Sequence, residues 1–145
     1  MEVFMPECIF CEIVAGRGTA SVVYEDETVV AFMDIQPVNP GHVLVVPRRH
    51  AASLAELDAD SAAGLLPAAQ RVAAALRQSG LRCEGVNFFL ADGEAAGQDV
   101  FHVHLHVFPR WENDGFRLVL GPNYQQLPPR AELDSIAARL RGVLR

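Results

Sequence analysis

The segment His102-Val103-His104-Leu105-His106-Val107-Phe108 sets an imidazole at every second residue, with apolar β-formers between. In an extended chain, successive side chains point to opposite faces. The three histidines then share one face, and Val103, Leu105 and Val107 share the other. Neighbouring imidazoles lie about 6.6 Å apart along such a ribbon, two strand rises. Imidazole is the side chain best suited to nucleophilic, acid–base and metal chemistry near neutral pH. A buried ring has two nitrogens that each need a partner, so three together are costly as packing alone. The row reads as metal-binding or reactive.

Other residues could join that chemistry. Cys8-x-x-Cys11 is half of a tetrahedral zinc site, although buried cysteines also act as small apolar groups. The Gly-containing loop Gly93–Gln98 precedes the row, and glycines let backbone N–H groups approach an anion closely. Arg48, Arg49 and Arg110 read either as local positive charge for a phosphate or as ordinary surface arginines.

The elements that must position these groups can be read from pattern. Ser21–Tyr24 and Thr28–Met33 form a hairpin around Glu25-Asp26-Glu27. Val43–Pro47, Val86–Ala91 and Val100–Phe108 are three more strands, with Pro109 stopping the last or marking an edge. A helix from about Asp60, its N-cap, to Gln78 has Leu65, Leu66, Ala69, Val72, Ala73 and Leu76 as its apolar face, and Gly80 stops it. Pro67 either kinks it or delays its start. A short helix at Ala52–Leu57 precedes it, and a terminal helix begins at Pro129-Arg130-Ala131. Residues 111–128 read as irregular. Strands first, one helix inserted and one appended give an α+β domain with an antiparallel sheet, a single domain over residues 1–145.

The composition fits one globular domain: 145 residues, half of them hydrophobic, with a formal net charge of −6. That charge argues against general nucleic-acid binding but not against one small anionic ligand. Met1-Glu2…Pro6 lacks the basic start and apolar stretch of an export signal, and the apolar runs are too short to span a bilayer. Three cysteines cannot all pair, so we expect a reducing, cytoplasmic setting and no membrane partner.

The histidine row resembles the defining motif of the histidine-triad (HIT) family of nucleotide hydrolases and transferases. Four further blocks carry the resemblance: Cys8-Ile9-Phe10-Cys11-Glu12-Ile13, Ala31–Pro37, Pro40–His50 and Gly93–Gln98, in family order over roughly residues 8–112. It implies a five-stranded antiparallel sheet with one long inserted helix and a C-terminal helix, and a homodimer formed through the long helix. It also implies His104 as the nucleophile, attacking the α-phosphorus of a nucleotide to give a nucleotidyl-imidazole that water hydrolyses. A backbone carbonyl, which we assign to His102, would fix the ring's tautomer. His106 would donate to a phosphate oxygen or the leaving-group bridge, and His42 would line the same pocket or make a loop hydrogen bond.

On the same resemblance, Ile9, Phe10, Ile13 and Phe32 sandwich a purine or pack the core. Asp34 binds the ribose hydroxyls or caps a turn before Pro37. Gln98 contacts phosphate through its amide, and Asp99 through its backbone N–H. Two departures stand out: Ala91 where family members carry Asn or Gln, and Asp99 where Ser or Thr is usual. Some bacterial members bind structural zinc through two Cys and two His, which are Cys8, Cys11, His50 and His102 here. The leading expectation is a hydrolase cleaving at the α-phosphate of a purine nucleotide derivative. Dinucleoside polyphosphates, nucleoside phosphoramidates and aminoacyl-adenylates are the competing substrates, with the Gly93–Gln98 loop and Phe101 closer to the polyphosphate branch. The alternatives are a nucleotide-binding regulatory protein with little or no catalysis, and a zinc-organised interaction module.

Overall fold

The computed structural model describes residues 7–145. Contacts cluster into two compact units, one ending at Asp114 and one formed by Gly115–Arg145. The first unit holds helix α1 (Ile9–Val14), strands β1 (Val22–Glu25), β2 (Val29–Met33) and β3 (Val43–Pro47), helix α2 (Ala59–Gln78), and strands β4 (Gly85–Phe89) and β5 (Leu105–Arg110). The second holds helix α3 (Arg130–Val143), with Pro129 at its N-cap. The five strands form one antiparallel sheet in the order β1-β2-β3-β5-β4.

The central strands are apolar at every position because both sheet faces are covered. Val29, Ala31, Val43, Val45, Val103, Leu105 and Val107 pack with the α2 residues Leu65, Ala68, Ala69, Val72 and Leu76. Val30, Phe32, Leu44 and Val46 pack on the opposite face with Phe10 of α1. Each such side chain contributes about 1.5–3 kcal/mol on burial. α2 therefore fixes one face of the β5 region, leaving its histidines to face the α1 side.

Helix α2 begins two residues earlier than the Asp60 cap predicts. Asp58 is extended (ψ 157°) and its Oδ2 accepts from the Ser61 N–H at 3.0 Å, so Asp58 is the cap and Asp60 lies in the first turn. Pro67 neither delays the helix nor ends it. It sits on the exposed side, where water can reach the carbonyl its ring leaves unbonded. Leu66 also turns outward, 59% exposed, and Ala68 takes the place expected for it in the core. Gly64 lets α2 approach the sheet: a Cβ there would lie 2.4 Å from Thr28 Oγ1. The short helix expected at Ala52–Leu57 is a single 3-10 turn, Leu54–Glu56.

The last strand differs most from expectation. It starts at Leu105, not Val100, and runs through Pro109 to Arg110. Before Leu105 the backbone leaves the ladder: the Val103 N–H bonds the Ala51 carbonyl (2.9 Å), and the His102 ring takes the Pro47 carbonyl at the end of β3 (2.8 Å). Pro109 is tolerated inside an interior strand because β3 pairs only with Leu105–Val107. Beyond that point no ladder donor is needed, and Asn39 Nδ2 caps the Pro109 carbonyl (2.9 Å).

Candidate functional site

Although only His106 belongs to a ladder, the alternation of faces continues through His102 and His104. The three rings lie on the α1 side, with His104 and His106 ring centroids 5.0 Å apart. His102 and His104 are buried, and His106 is half-buried. Each ring has a different set of partners.

His104 Nδ1 donates to the His102 carbonyl at 2.8 Å. A carbonyl only accepts, so the neutral ring carries its proton on Nδ1 and leaves Nε2 with a free lone pair. The edge of the ring is held against Phe10 (centroids 5.1 Å). Nε2 lies 3.8 Å from Asp99 Oδ1, and His104 lines a cavity of about 340 Å3.

His42 and His106 form a second unit. His42 comes from the loop between β2 and β3, turned by Gly41 at φ +106°, where a Cβ would also meet Leu76 Cδ2 at 2.9 Å. The Val38 N–H donates to His42 Nδ1 (2.9 Å), so neutral His42 holds its proton on Nε2. That nitrogen is 2.9 Å from His106 Nδ1 and 3.4 Å from Asp34 Oδ2. His106 Nδ1 accepts, which places the His106 proton on Nε2. Burial, with His104 and His42 adding to it, pushes His106 down to about 4; burial also lowers His42. Both rings are neutral at pH 7. Asp34, His42 and His106 cluster closely enough for a metal, but with Nδ1 of His42 already accepting, its protonated Nε2 is a donor and not a ligand. Val38, His42 and His106 thus form one hydrogen-bonded chain that leaves Nε2–H of His106 as its free donor.

The cavity joins these groups to an apolar slot. Ile9, Phe10 and Ile13 of α1, Phe32 of β2 and Val100 line it, with Asp34, Asp99, His104 and His106 at its polar end. Phe10 and Phe32 meet edge to face at 5.4 Å. Phe10 and Phe32 are also core residues, as the packing reading of these positions expects. Asp34 likewise does two things: Oδ1 caps the Gln36 N–H (2.8 Å), while Oδ2 faces the imidazoles.

Gln98 does not meet its expectation. Its amide Nε2 donates to the Ala52 and Val100 carbonyls (2.7 and 3.1 Å) and Oε1 accepts from the Gly93 N–H (2.8 Å), so no donor is left for a phosphate. It is a buried strut that shapes the loop. Of that stretch only Asp99 and Val100 line the cavity. The three arginines offered as phosphate ligands are engaged elsewhere: Arg48 with the Asp26 carbonyl and Glu25, Arg49 facing Asp58, and Arg110 with Asp114 and Asn87. Sequence reasoning missed Val38, whose side chain is irrelevant to its task; the Pro37-x-x-Pro40-Gly41 turn was the signal that this backbone is fixed.

Fourth, Cys8, Cys11, His50 and His102 converge. Cys8 Sγ and Cys11 Sγ lie 3.4 and 3.6 Å from His102 Nδ1, Cys11 Sγ is 3.3 Å from His50 Nδ1, and the two Nδ1 atoms are 3.2 Å apart. A tetrahedral zinc, with bonds of about 2.3 Å to sulfur and 2.0–2.1 Å to nitrogen, sets its ligands about 3.3–3.8 Å apart. The donor set fits that ion. His102 Nε2–H donates to the Pro47 carbonyl, which turns the lone pair of Nδ1 inward, as an orienting partner for a metal ligand does. Burial, with the nearby His50 and His104 adding to it and the Pro47 bond opposing it, pushes His102 down to about 4, unprotonated and able to ligate. Cys8 also caps α1 through the Cys11 N–H.

A five-stranded α+β sheet carrying a histidine row over an apolar cavity defines a histidine-triad protein. The HIT domain profile matches residues 16–113, and the chain belongs to the HIT family. It is 38% identical over 135 residues to an uncharacterised HIT-like protein of Methanocaldococcus jannaschii, covering 93% of this chain and 99% of that one. Among solved structures it resembles a zinc-bound histidine triad family protein of Mycobacterium smegmatis (39% identity, TM-score 0.74, 92% of this chain and 97% of that one). It also resembles a histidine triad nucleotide-binding protein of Candida albicans (28% identity, TM-score 0.84, 95% and 97%).

Proposed function

We propose that this HIT protein is a nucleotide hydrolase that cleaves at the α-phosphate of a purine nucleotide derivative and releases a nucleoside monophosphate. The observation that carries this reading is the His104 tautomer: a neutral ring whose unprotonated Nε2 borders a nucleoside-sized cavity. Nε2 of His104 bonds to phosphorus as the bond to the leaving group breaks. The leaving atom keeps the electron pair and takes the proton from Nε2 of His106. Water then displaces His104 from phosphorus, returning one proton to His106 and leaving the monophosphate. Ile9, Phe10, Ile13 and Phe32 hold the base, Asp34 accepts from the ribose hydroxyls, and the Asp99 N–H serves a phosphate oxygen. Cys8, Cys11, His50 and His102 hold a structural zinc that ties α1 to the segments that follow β3 and precede β5, supported by the ligand-atom spacing above.

Second copies of the chain belong to the same reading: Leu66 on α2 and Phe88 and Phe89 on the edge strand β4 are exposed apolar groups that a dimer would cover. Cytoplasmic residence is supported by a chain in which, among the described residues, Cys8, Cys11 and Cys83 form no disulfide and no helix is long and apolar enough to cross a membrane. The test is release of AMP from an adenylylated substrate, followed chromatographically, with AMP binding by calorimetry alongside. His104→Ala should abolish release, by several powers of ten, and keep AMP binding within a few-fold. Wild-type protein that binds AMP and releases none would instead make it a nucleotide-binding regulatory protein, the reading that Ala91 and Asp99 favour.

A further inference from the structure

The cavity beside His104 has a polar end of one sign. Its charged lining groups are Asp34 and Asp99; among the described residues no arginine of the first unit lines it, and the chain has no lysine. Asp34 is half-buried, holds the Gln36 N–H and faces the imidazoles, and in the reading above it serves the ribose. Asp99 is different. Its side chain is 84% exposed, no salt bridge to an arginine ties it down, and Oδ1 lies 3.8 Å from the attacking nitrogen. Its field also reaches His106, whose affinity for a proton it raises.

We propose that the Asp99 carboxylate selects the leaving group, so that the site prefers nucleoside phosphoramidates with a cationic or neutral leaving amine and disfavours polyphosphates. The inference rests on the hydrolase reading and deepens it. In a near-attack geometry, phosphorus is about 3–3.5 Å from the attacking nitrogen, and the leaving atom is one bond further, about 5 Å away. Asp99 Oδ1 is 3.8 Å from the same nitrogen, so it lies within about 9 Å of the leaving atom whichever way the substrate enters. At that distance and an effective dielectric of about 40, one elementary charge at the leaving atom changes the rate about fivefold, and one on an ammonium three carbons beyond it, within about 14 Å, about threefold. A leaving nucleoside polyphosphate brings more than one negative charge near the carboxylate. An amine that carries a second, protonated ammonium group gains instead. In that step the P–N bond breaks as the His104–phosphorus bond forms, the amine nitrogen keeps the electron pair and takes the His106 proton, and water supplies the oxygen and replaces the proton.

Three adenylylated substrates test this: AMP joined through a P–N bond to propylamine, AMP joined in the same way to one end of 1,3-diaminopropane, and diadenosine tetraphosphate. For the wild-type protein, kcat/KM should fall in the order diamine, propylamine, polyphosphate. Asp99→Asn should lower the diamine-to-propylamine ratio about threefold and raise the polyphosphate-to-propylamine ratio about fivefold or more. Salt at 0.5 M should shrink the wild-type ratio and leave that of Asp99→Asn unchanged, because the carboxylate is exposed and screened. A purely structural Asp99 would move all three substrates together. Ratios that Asp99→Asn leaves unchanged overturn the inference while the hydrolase reading stands. If none of the three is turned over, the hydrolase reading fails and this inference falls with it.

Discussion

In the proposed mechanism, replacing His42 separates the support of the His106 donor from the action of His104. His42 touches neither the apolar slot nor His104; its Nε2–H donates to His106 Nδ1 at 2.9 Å, and Val38 fixes its own tautomer. Without that donor, His106 can place its proton on either nitrogen, and only Nε2–H faces the leaving group. Losing a buried hydrogen bond and leaving its acceptor unmet costs about 1–3 kcal/mol, or about 5- to 150-fold in rate. Water entering the vacated space can donate to the same nitrogen, so His42→Ala should lower kcat nearer tenfold. KM should change little, because the lost contact matters in the transition state. His42→Gln should recover part of kcat, since one amide can accept from Val38 and donate to His106. Nitrogen-15 NMR reads the cause directly: the His106 proton sits on Nε2 in the wild type and is divided between both nitrogens in His42→Ala. Thermal unfolding controls for packing lost against Phe108, whose ring centroid is 4.9 Å from that of His42. An unchanged kcat in a folded His42→Ala protein, or a wild-type His106 protonated on Nδ1, would refute the reasoning.

Other consequences are checked separately. Elemental analysis should find one zinc per chain, lost in the Cys11→Ser and His50→Ala variants together with several degrees of thermal stability; metal-free wild-type protein with both thiols freely titratable would contradict the site. The His106 ring signal should titrate near pH 4. Because an unfolded histidine protonates near 6.5, the unfolded chain binds more protons between pH 4 and 6.5, so unfolding free energy should rise with pH across that window and level off above it. A His106 midpoint above 6 would contradict the burial that sets it. Gly64→Ala gains up to about 1 kcal/mol in helix propensity but drives a methyl against Thr28 Oγ1, which is tied to Asp26. Overpacking of this kind costs about 1–3 kcal/mol, so urea unfolding should show net destabilisation; a stabilised variant would mean that α2 can move off β2.

Periodicity located the elements that long-range packing also favours. The β2 and β3 runs are apolar at every position because two layers cover them, and Leu65, Ala69, Val72, Ala73 and Leu76 mark the inner face of α2 as read. Leu66 went astray because an apolar residue at a helix boundary between faces satisfies the pattern without being buried. The start of β5 was not legible, since local bonds to Ala51 and Pro47 replace the ladder there, and nothing in residues 100–104 announces them. At the site, side-chain types and spacing pointed to the row His102, His104 and His106, whereas His42 came only from the family resemblance. Gln98 shows the limit of that route: an amide beside a glycine loop suits a phosphate or a backbone strut equally, and only its three partners decide. Val38 contributes a backbone N–H, which no residue type encodes.

The most direct measurement is mass analysis of the quenched enzyme during turnover of an adenylylated substrate, with the adduct mapped to its residue. The account predicts one nucleoside-monophosphoryl group on Nε2 of His104, absent from His104→Ala. An adduct on another residue, or steady AMP release with no covalent species at any time, would contradict it.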